Sequence, residues 1–430
     1  MVKEASLVAE LQSLLGTAAV LSSERTVDFT VEGLVPRAVV VPTSVEQVAD
    51  VMRYAGGEGL AVVPWGGGTL MHIGNVPRQY DIGLSLRRLD RVIEYEPADL
   101  TVSCQAGITL AELQSRLAKV GQFLALDPHS SEQSTIGGVL AANASGPSRH
   151  VYGSARDLTI GMRVVTADGR ITRVGGRVVK NVAGYDLCKL YVGALGSLVV
   201  IVEATFKLSS LPQEERTLAL SFDSPAVACA FALAVHRRGL TLRAIELLNA
   251  SAATRAGLTA VGRYVLILWL AGTGLGLQRS HEVIVAAAAE SAVPLVPVSW
   301  EGDDWEAVRR LAAPIEARLL CRLSVLPGRL ASLLSAVETV GDPALLARPA
   351  LGLAYVSWAG ADEARARLDS LRRLVGEAGG TVVVEVCPPD LKRDIDVFGE
   401  LPSAFALMRG VKQQYDPRGL LSPGRFVGGL

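Results

Sequence analysis

A run of 28 residues, Ser134–Gly161 (STIGGVLAANASGPSRHVYGSARDLTIG), constrains this chain more than any other stretch. It is rich in Gly, Ala, Ser and Asn, yet it sits inside a long globular sequence. It has no repeat and no helical charge pattern, so it does not read as a linker. Small residues in an ordered chain place backbone close to something else. Two further small-residue clusters bracket it. Pro64-Trp65-Gly66-Gly67-Gly68-Thr69 follows an apolar strand, and Gly193-Ala194-Leu195-Gly196-Ser197 precedes another.

Consecutive glycines turn successive backbone N–H groups toward one point and form an anion nest. The first loop lacks the Gly-Lys-Ser/Thr of a P-loop. It also fails to open a helix as a dinucleotide fingerprint must, because Met71-His72-Ile73-Gly74 follows. Taken alone, a tight turn and a phosphate site fit it equally. In the second stretch Ser134, Thr135 and Asn143 offer hydrogen-bond donors, and Gly137 and Gly138 permit close approach. Three separated loops on one ligand imply a long one, such as a dinucleotide flavin. Gly272-Thr273-Gly274-Leu275-Gly276 looks similar, but its third glycine is misplaced and it lies among antiparallel elements, so a strand-to-helix turn is expected there.

With 430 residues the chain has room for two or three domains. Its net charge of −1, from 42 basic and 43 acidic residues, gives no basic face for nucleic acid. The most apolar run, YVLILWLA at 264–271, is too short to span a bilayer. The N-terminus reads as an amphipathic helix with no secretory signal. None of the cysteines (Cys104, Cys188, Cys229, Cys321, Cys387) is paired as C-x-x-C, which predicts separate reduced thiols in a cytoplasmic protein with no iron–sulfur or zinc site.

Residues 36–69 read as strand, helix, strand and glycine loop. Thr43 and Glu46 form a capping-box pattern, and Gly56-Gly57 is expected to end the helix. Short strands continue to Leu211, with Asp168-Gly169 as a hairpin turn. From 213 strands and helices alternate. Strands are expected at 217–222, 241–248, 263–270, 294–298, 319–325, 350–357 and 380–386, and helices at 225–237, 277–290, 304–312, 328–340 and 362–377. This is the pattern of two split β-α-β units in tandem. The expected class is α+β, with a domain at 1–212 (core from about 36), a second at 213–395 built on an antiparallel sheet, and a segment 396–430 returning to the first.

The order of PWGGGT, Thr135-Ile136-Gly137-Gly138, Tyr152-Gly153 with Asp157, Lys180-Asn181-Val182-Ala183-Gly184-Tyr185-Asp186 and Gly193–Phe206 resembles the flavin domain of the vanillyl-alcohol oxidase and p-cresol methylhydroxylase superfamily. Within it, SGPSRHVYGSARD and KNVAGYD are most similar to the FAD-binding E subunits of bacterial glycolate oxidases. The resemblance covers 36–211 and the tail DPRGLLSPGRF, and the middle only in its pattern of elements.

The resemblance implies a two-subdomain FAD-binding domain of p-cresol methylhydroxylase type, with the middle domain as a cap over the flavin ring. Gly66, Gly67, Gly68 and Thr69 would hold the pyrophosphate. Ser134, Thr135, Gly137 and Gly138 would line the ribityl and pyrophosphate path, and Gly196 and Ile201 the adenine end. Pro64, Trp65, Pro128, Asn143, Gly146, Tyr152, Gly153 and Asp157 complete the cofactor set. Thr69 stands where covalent members often carry His, which predicts noncovalent FAD. Ser422 stands where Asn often precedes the Pro-Gly of the tail. Trp65 is bulky for its place and predicts a differently packed loop.

Related D-2-hydroxyacid dehydrogenases carry an H-x-G-D-G-N-x-H metal motif. None of the histidines here (His72, His129, His150, His236, His281) lies in such a pattern, so no metal site and no catalytic base is nominated. His236 and His281 read as surface residues. Arg322 could face a substrate carboxylate or form a structural ion pair, and Tyr185 could donate near the flavin or pack. The function implied is that of an FAD-binding subunit of a glycolate oxidase complex. It would support oxidation of glycolate or D-lactate beside a catalytic flavoprotein subunit and an iron–sulfur subunit, in the cytoplasm or peripheral to the inner membrane through those partners. The alternatives are a self-sufficient FAD-dependent dehydrogenase and a flavin-free assembly subunit.

Overall fold

The computed structural model describes residues 4–176, 184–258, 262–296, 304–313 and 318–430. The chain forms two compact units. The first comprises Met1–Ser145, Gly153–Leu211 and Glu400–Leu430, and the second Gly146–Tyr152 and Pro212–Gly399. The mixed helix-and-sheet architecture is the α+β class expected.

In the first unit, Ala38–Val40, Ile82–Ser85 and Val62–Trp65 form a three-stranded parallel sheet in that order. These are short apolar runs buried on both faces, as parallel strands require. The helix Val45–Glu58 packs Val48, Val51, Met52 and Ala55 into the core with no exposed surface. Its cap lies one residue later than the sequence pattern indicates: Ser44 Oγ accepts from the Gln47 amide at 3.2 Å, and Thr43 is held by Gln47 Oε1. Nor do Gly56 and Gly57 stop it. Gly59 does, because its φ of +72° is the left-handed conformation that turns its N–H back onto Ala55 O. A second, five-stranded antiparallel sheet runs Val92–Glu96, Thr101–Gln105, Val200–Lys207, Thr159–Val165, Ile171–Gly175.

The tail is tied into this unit by a buried lysine. Lys412, on the helix Phe405–Tyr415, donates through Nζ to Ser197 O (2.7 Å), Asp416 Oδ2 (2.6 Å) and Leu421 O (3.0 Å). Asp416 also accepts from the amides of Leu420 and Leu421 at 2.9 and 2.8 Å. Leu421 then pairs beside Val62, with Val62 N on Leu420 O (2.8 Å) and Ser422 N on Val62 O (2.9 Å). The segment Ser422–Arg425 is thereby fixed next to the strand that leads into the glycine loop.

The second unit is an eight-stranded antiparallel sheet in the order Leu295–Val296, Glu214–Phe222, Tyr264–Gly272, Leu242–Asn249, Ala344–Arg348, Leu353–Trp358, Leu319–Ser324, Thr381–Val386. Alternate residues serve two cores. Tyr264, Leu266, Leu268 and Leu270 pack with the helices Pro225–His236, Gly274–Glu290, Pro327–Val337 and Ala364–Glu377. Val265, Ile267 and Trp269 join the other cluster with Trp305 and Tyr355. The strand Ala344–Arg348 was not expected. All five of its residues are buried, so it shows no alternation to read.

Candidate functional site

The loop after Val62–Trp65 is the centre of the first unit's cleft. Trp65 Nε1 donates to Tyr80 OH at 2.6 Å, Tyr80 OH donates to Phe29 O at 3.1 Å, and the Phe29 and Trp65 rings meet edge-on at 4.9 Å. That small cluster accommodates the bulk of Trp65, and a Cβ on Gly68 would come to 2.9 Å from the indole.

Arg87 sets the direction of the loop's peptides. Its Nε donates to Gly66 O at 3.2 Å and its Nη2 to Gly67 O at 2.9 Å. In a trans peptide the N–H points opposite to the preceding carbonyl. Drawing both carbonyls toward Arg87 therefore turns the Gly67 and Gly68 amides the other way. Among the described residues no group accepts a hydrogen bond from the N–H of Gly66, Gly67, Gly68 or Thr69. The loop is a row of unused donors.

The second stretch lies against this loop. Thr69 Oγ1 and Ser134 Oγ are 3.1 Å apart. A Cβ on Gly66 would fall 2.0 Å from Thr135 Oγ1, and one on Gly67 would fall 1.8 Å from Gln133 O. Thr135 caps the helix Ile136–Ala142 by accepting from Gly138 N at 3.3 Å. Gly137 lies against Ala106, whose carbonyl takes its N–H at 2.7 Å and whose Cβ would be 2.9 Å from an added one. The third cluster docks on the far end of this helix, with Gly193 N on Leu140 O and Leu195 N on Ala141 O, both 2.9 Å. Gly196 sits against Pro64.

Together these loops line an open cleft. It is lined by Pro64, Trp65, Gly66, Gly67, Gly68, Thr69, Thr135, Gly137, Gly138, Gly196 and Ile201 among the residues nominated from sequence. Ser134 and Asn143 stand behind this lining, Ser134 bonded to Thr69 and Asn143 capping the helix end with its Oδ1 buried and unpartnered. Pro128 is buried in the preceding loop.

The remaining nominated residues are placed elsewhere. Gly146 and Tyr152 fall in the second unit, in a heptapeptide anchored by Arg243 Nε on Ser148 Oγ (2.9 Å). Arg243 also pairs with Glu215 at 2.6 Å and stacks 3.9 Å above Trp269. Gly153 and Asp157 form the start of the helix Ala155–Leu158. Asp157 Oδ2 accepts from Ser154 N and Oγ at 2.8 and 2.7 Å, and Gly153 has a φ of +84°.

In the second unit Arg322 pairs with Glu385 at 2.9 Å, and the neighbouring Arg348–Glu246 pair, 2.8 Å apart, is buried. His236 is exposed, and its Nδ1 lies 3.3 Å from His150 Nε2. Gly272–Gly276 is a helix start capped by Thr273. Tyr185 is 96% exposed, whereas Lys180–Ala183 lie outside the described residues. Among the described residues no three His, Cys, Asp or Glu side chains converge as metal ligands, and no helix is long and apolar enough to cross a membrane.

Two residues of the cleft were missed in the sequence. Nothing local marks Arg87, an exposed arginine after a strand, because its role depends on which way two carbonyls point. Arg425 was visible only as part of the tail motif. It is 3% exposed and lines the cleft, and its Nη2 donates to Met71 O at 2.8 Å and to Ile73 O. Its Nη1 and the Oγ of nearby Ser422 are buried without partners.

The donor set suits an extended anionic dinucleotide: unused loop amides, unsatisfied buried donors from the tail, and glycines that let the loops pack closely around the cleft. Comparison with known proteins agrees. Residues 36–175 match the FAD binding domain family. The chain is 26% identical to glycolate oxidase subunit GlcD of Bacillus subtilis (strain 168), over 91% of this chain and 89% of that protein. It is 39% identical to glycolate oxidase subunit GlcE of Escherichia coli (strain K12), over 30% of this chain and 37% of that one. Its fold is that of p-cresol methylhydroxylase, with a TM-score of 0.75 at 16% identity, covering 97% of this chain and 95% of that structure. The chain carries an FAD-binding domain within a fold of p-cresol methylhydroxylase type, and FAD is its cofactor.

Proposed function

We propose that this protein is the FAD-binding subunit of a 2-hydroxyacid oxidase or dehydrogenase complex of the glycolate oxidase kind. Its flavin is held noncovalently, and it works beside a catalytic flavoprotein subunit and an iron–sulfur subunit. The observation that carries the reading is the glycine loop, whose carbonyls are drawn to Arg87 while its amides remain unused in the cleft. The similarity to two glycolate oxidase subunits supports the substrate class, a small 2-hydroxyacid such as glycolate or D-lactate.

When bound, FAD supplies hydride acceptance from the substrate carbon. The protein's part is to hold and orient it. Gly66, Gly67, Gly68 and Thr69 would present amides to the diphosphate, Thr135 and the helix it caps would set the opposite wall, and Gly196 and Ile201 would close the adenine end. Thr69 hydrogen-bonds Ser134 and offers the flavin no histidine, in keeping with noncovalent attachment. In the second unit the polar residues Arg322 and Glu385 neutralise one another.

The test is to purify the chain alone, record its flavin spectrum, and assay glycolate and D-lactate with an artificial acceptor. The expected result is a flavin spectrum, release of the flavin on acid precipitation, and turnover only when the partner chains are added. Robust turnover by the isolated chain would replace the subunit reading with that of a self-sufficient dehydrogenase. A colourless protein that takes up no FAD would overturn the cofactor role.

A further inference from the structure

We propose that Arg425 is the charge partner of the FAD diphosphate, its free Nη1 completing the row of donors begun by the Gly66–Thr69 amides. The proposal rests on the FAD reading above and adds a ligand from the tail that no motif of the flavin loops supplies.

Arg425 is a cation almost wholly removed from water, and it forms no ion pair with a described carboxylate. Burial is the main influence on it and pushes its ionisation down to about 10, with Glu32 and then Tyr80 opposing, so it remains charged at neutral pH. One guanidinium nitrogen is spent on the Met71 and Ile73 carbonyls, which fixes the plane of the group. Nη1 has no acceptor, although the side chain lines the cleft. A buried charged donor left unmade is expensive, and a fold retains one where a counter-charge arrives with the ligand.

The chemistry of that ligand follows from the surroundings. Both unsatisfied features of the cleft, the loop amides and the guanidinium, demand an oxyanion. In oxidised FAD the ring systems are neutral and the diphosphate carries the charge. A planar fork of N–H donors matches phosphate oxygens better than an ammonium would. The guanidinium is also held in place before the ligand arrives. The turn that carries it is closed by Arg425 N on Ser422 O at 3.2 Å, and the strand contact behind it is secured by Lys412 and Asp416.

The experiment uses the full-length apoprotein and three probes read by fluorescence or calorimetry: FAD, ADP (diphosphate without flavin) and riboflavin (ring without phosphate). R425M keeps the aliphatic stem and removes the charge. It is expected to weaken FAD and ADP binding by about ten- to a hundredfold while leaving riboflavin affinity unchanged. R425K keeps the charge inside the fold and carries the test where R425M does not fold; ADP binding then falls severalfold with riboflavin again unchanged. A loss of riboflavin affinity with ADP affinity unchanged would assign the guanidinium to the ring and overturn the proposal, as would equal losses of both ligands or wild-type ADP affinity in either variant. A wild-type protein that binds neither FAD nor ADP fails the cofactor reading itself. One that binds both, with unaltered variants, fails only the assignment of Arg425.

Discussion

Replacing Gly67 by alanine tests the close approach on which the site depends. The added Cβ would stand 1.8 Å from Gln133 O, 2.8 Å from Gln133 C and 3.4 Å from Ser134 Cα. All three are backbone atoms, so no side chain can rotate out of the way. Non-bonded atoms at contact sit about 3.5 Å apart, so the two segments must separate by more than about 1 Å. A binding constellation tolerates about 0.5 Å. The shift therefore removes the Gly67 and Gly68 amides from the diphosphate, at about 1.5–3 kcal/mol for each charged hydrogen bond. FAD affinity is expected to fall by about a hundredfold or more, and the apoprotein to lose about 1–3 kcal/mol from overpacking. Titration of apoprotein with FAD by fluorescence quenching gives the first quantity and urea denaturation the second. Gly57→Ala is the matched control. It lies within the helix Val45–Glu58 with nothing within 4 Å of an added Cβ, so it should leave FAD affinity unchanged and gain about 0.5–1 kcal/mol. A G67A protein with the wild-type dissociation constant would refute the argument, because the loop would then have room the structure denies it.

Arg87→Met frees the Gly66 and Gly67 carbonyls; FAD affinity should drop about tenfold while the apoprotein melts as before, and an unchanged titration would show that the loop orients itself. Lys412→Met leaves Asp416, with a fully buried side chain, as an unpaired carboxylate, so urea denaturation should report a loss of about 3–5 kcal/mol. Burial, and then His236, hold His150 down to about 4 against an ordinary 6.5, so the native state binds fewer protons between those values. Stability from this residue is complete above pH 6.5 and is lost as pH falls toward 4, by at most about 2.5 kcal/mol between pH 7 and 4.5. Denaturation curves of H150Q should lack that share of the slope, and identical slopes would refute it.

What could be read from the sequence was whatever local chemistry dictates. The strands beside the glycine loops, the hairpin at Asp168-Gly169 and the alternation from 213 onward follow from apolar periodicity and turn residues. Where several residues compete for one role, the winner depends on backbone geometry. Ser44 beats Thr43 as a cap, and Gly59 rather than Gly56 or Gly57 ends the helix because it alone takes the left-handed conformation. Ala344–Arg348 was invisible because burial on both faces erases the period of two. Arg87 and Arg425 escaped for a different reason. Their importance lies in contacts with main-chain carbonyls 20–21 and 352–354 residues away, and main-chain partners leave no residue type to recognise.

The glycines of the three small-residue clusters also divide into two physical kinds. Gly66, Gly67 and Gly137 keep ordinary backbone angles and are small because another segment's atoms occupy the place of a Cβ. Gly153, Gly193 and Gly196 have φ of +84°, +87° and +68° and are small because the chain turns. Around the cleft the second role is shared by residues that do carry a Cβ: Asn143 (φ +49°), Leu195 (+52°) and Ser422 (+43°). Each costs about 1–2 kcal/mol in the left-handed region. The three meet through the close packing of Gly193 on Asn143 and of Gly196 on Ser422. Strain of this sort persists where surrounding structure over-determines the backbone. Here the determinants are the Leu140 and Ala141 carbonyls that take the amides of Gly193 and Leu195, and the Lys412–Asp416 pair that fixes the tail. Asn143 and Ser422, the two polar members, are also where buried side-chain oxygens lack partners. Strained backbone and unmet hydrogen bonds thus coincide just behind the wall of one cleft. That coincidence is what distinguishes a cradle shaped for a ligand from loops that are merely rich in small residues.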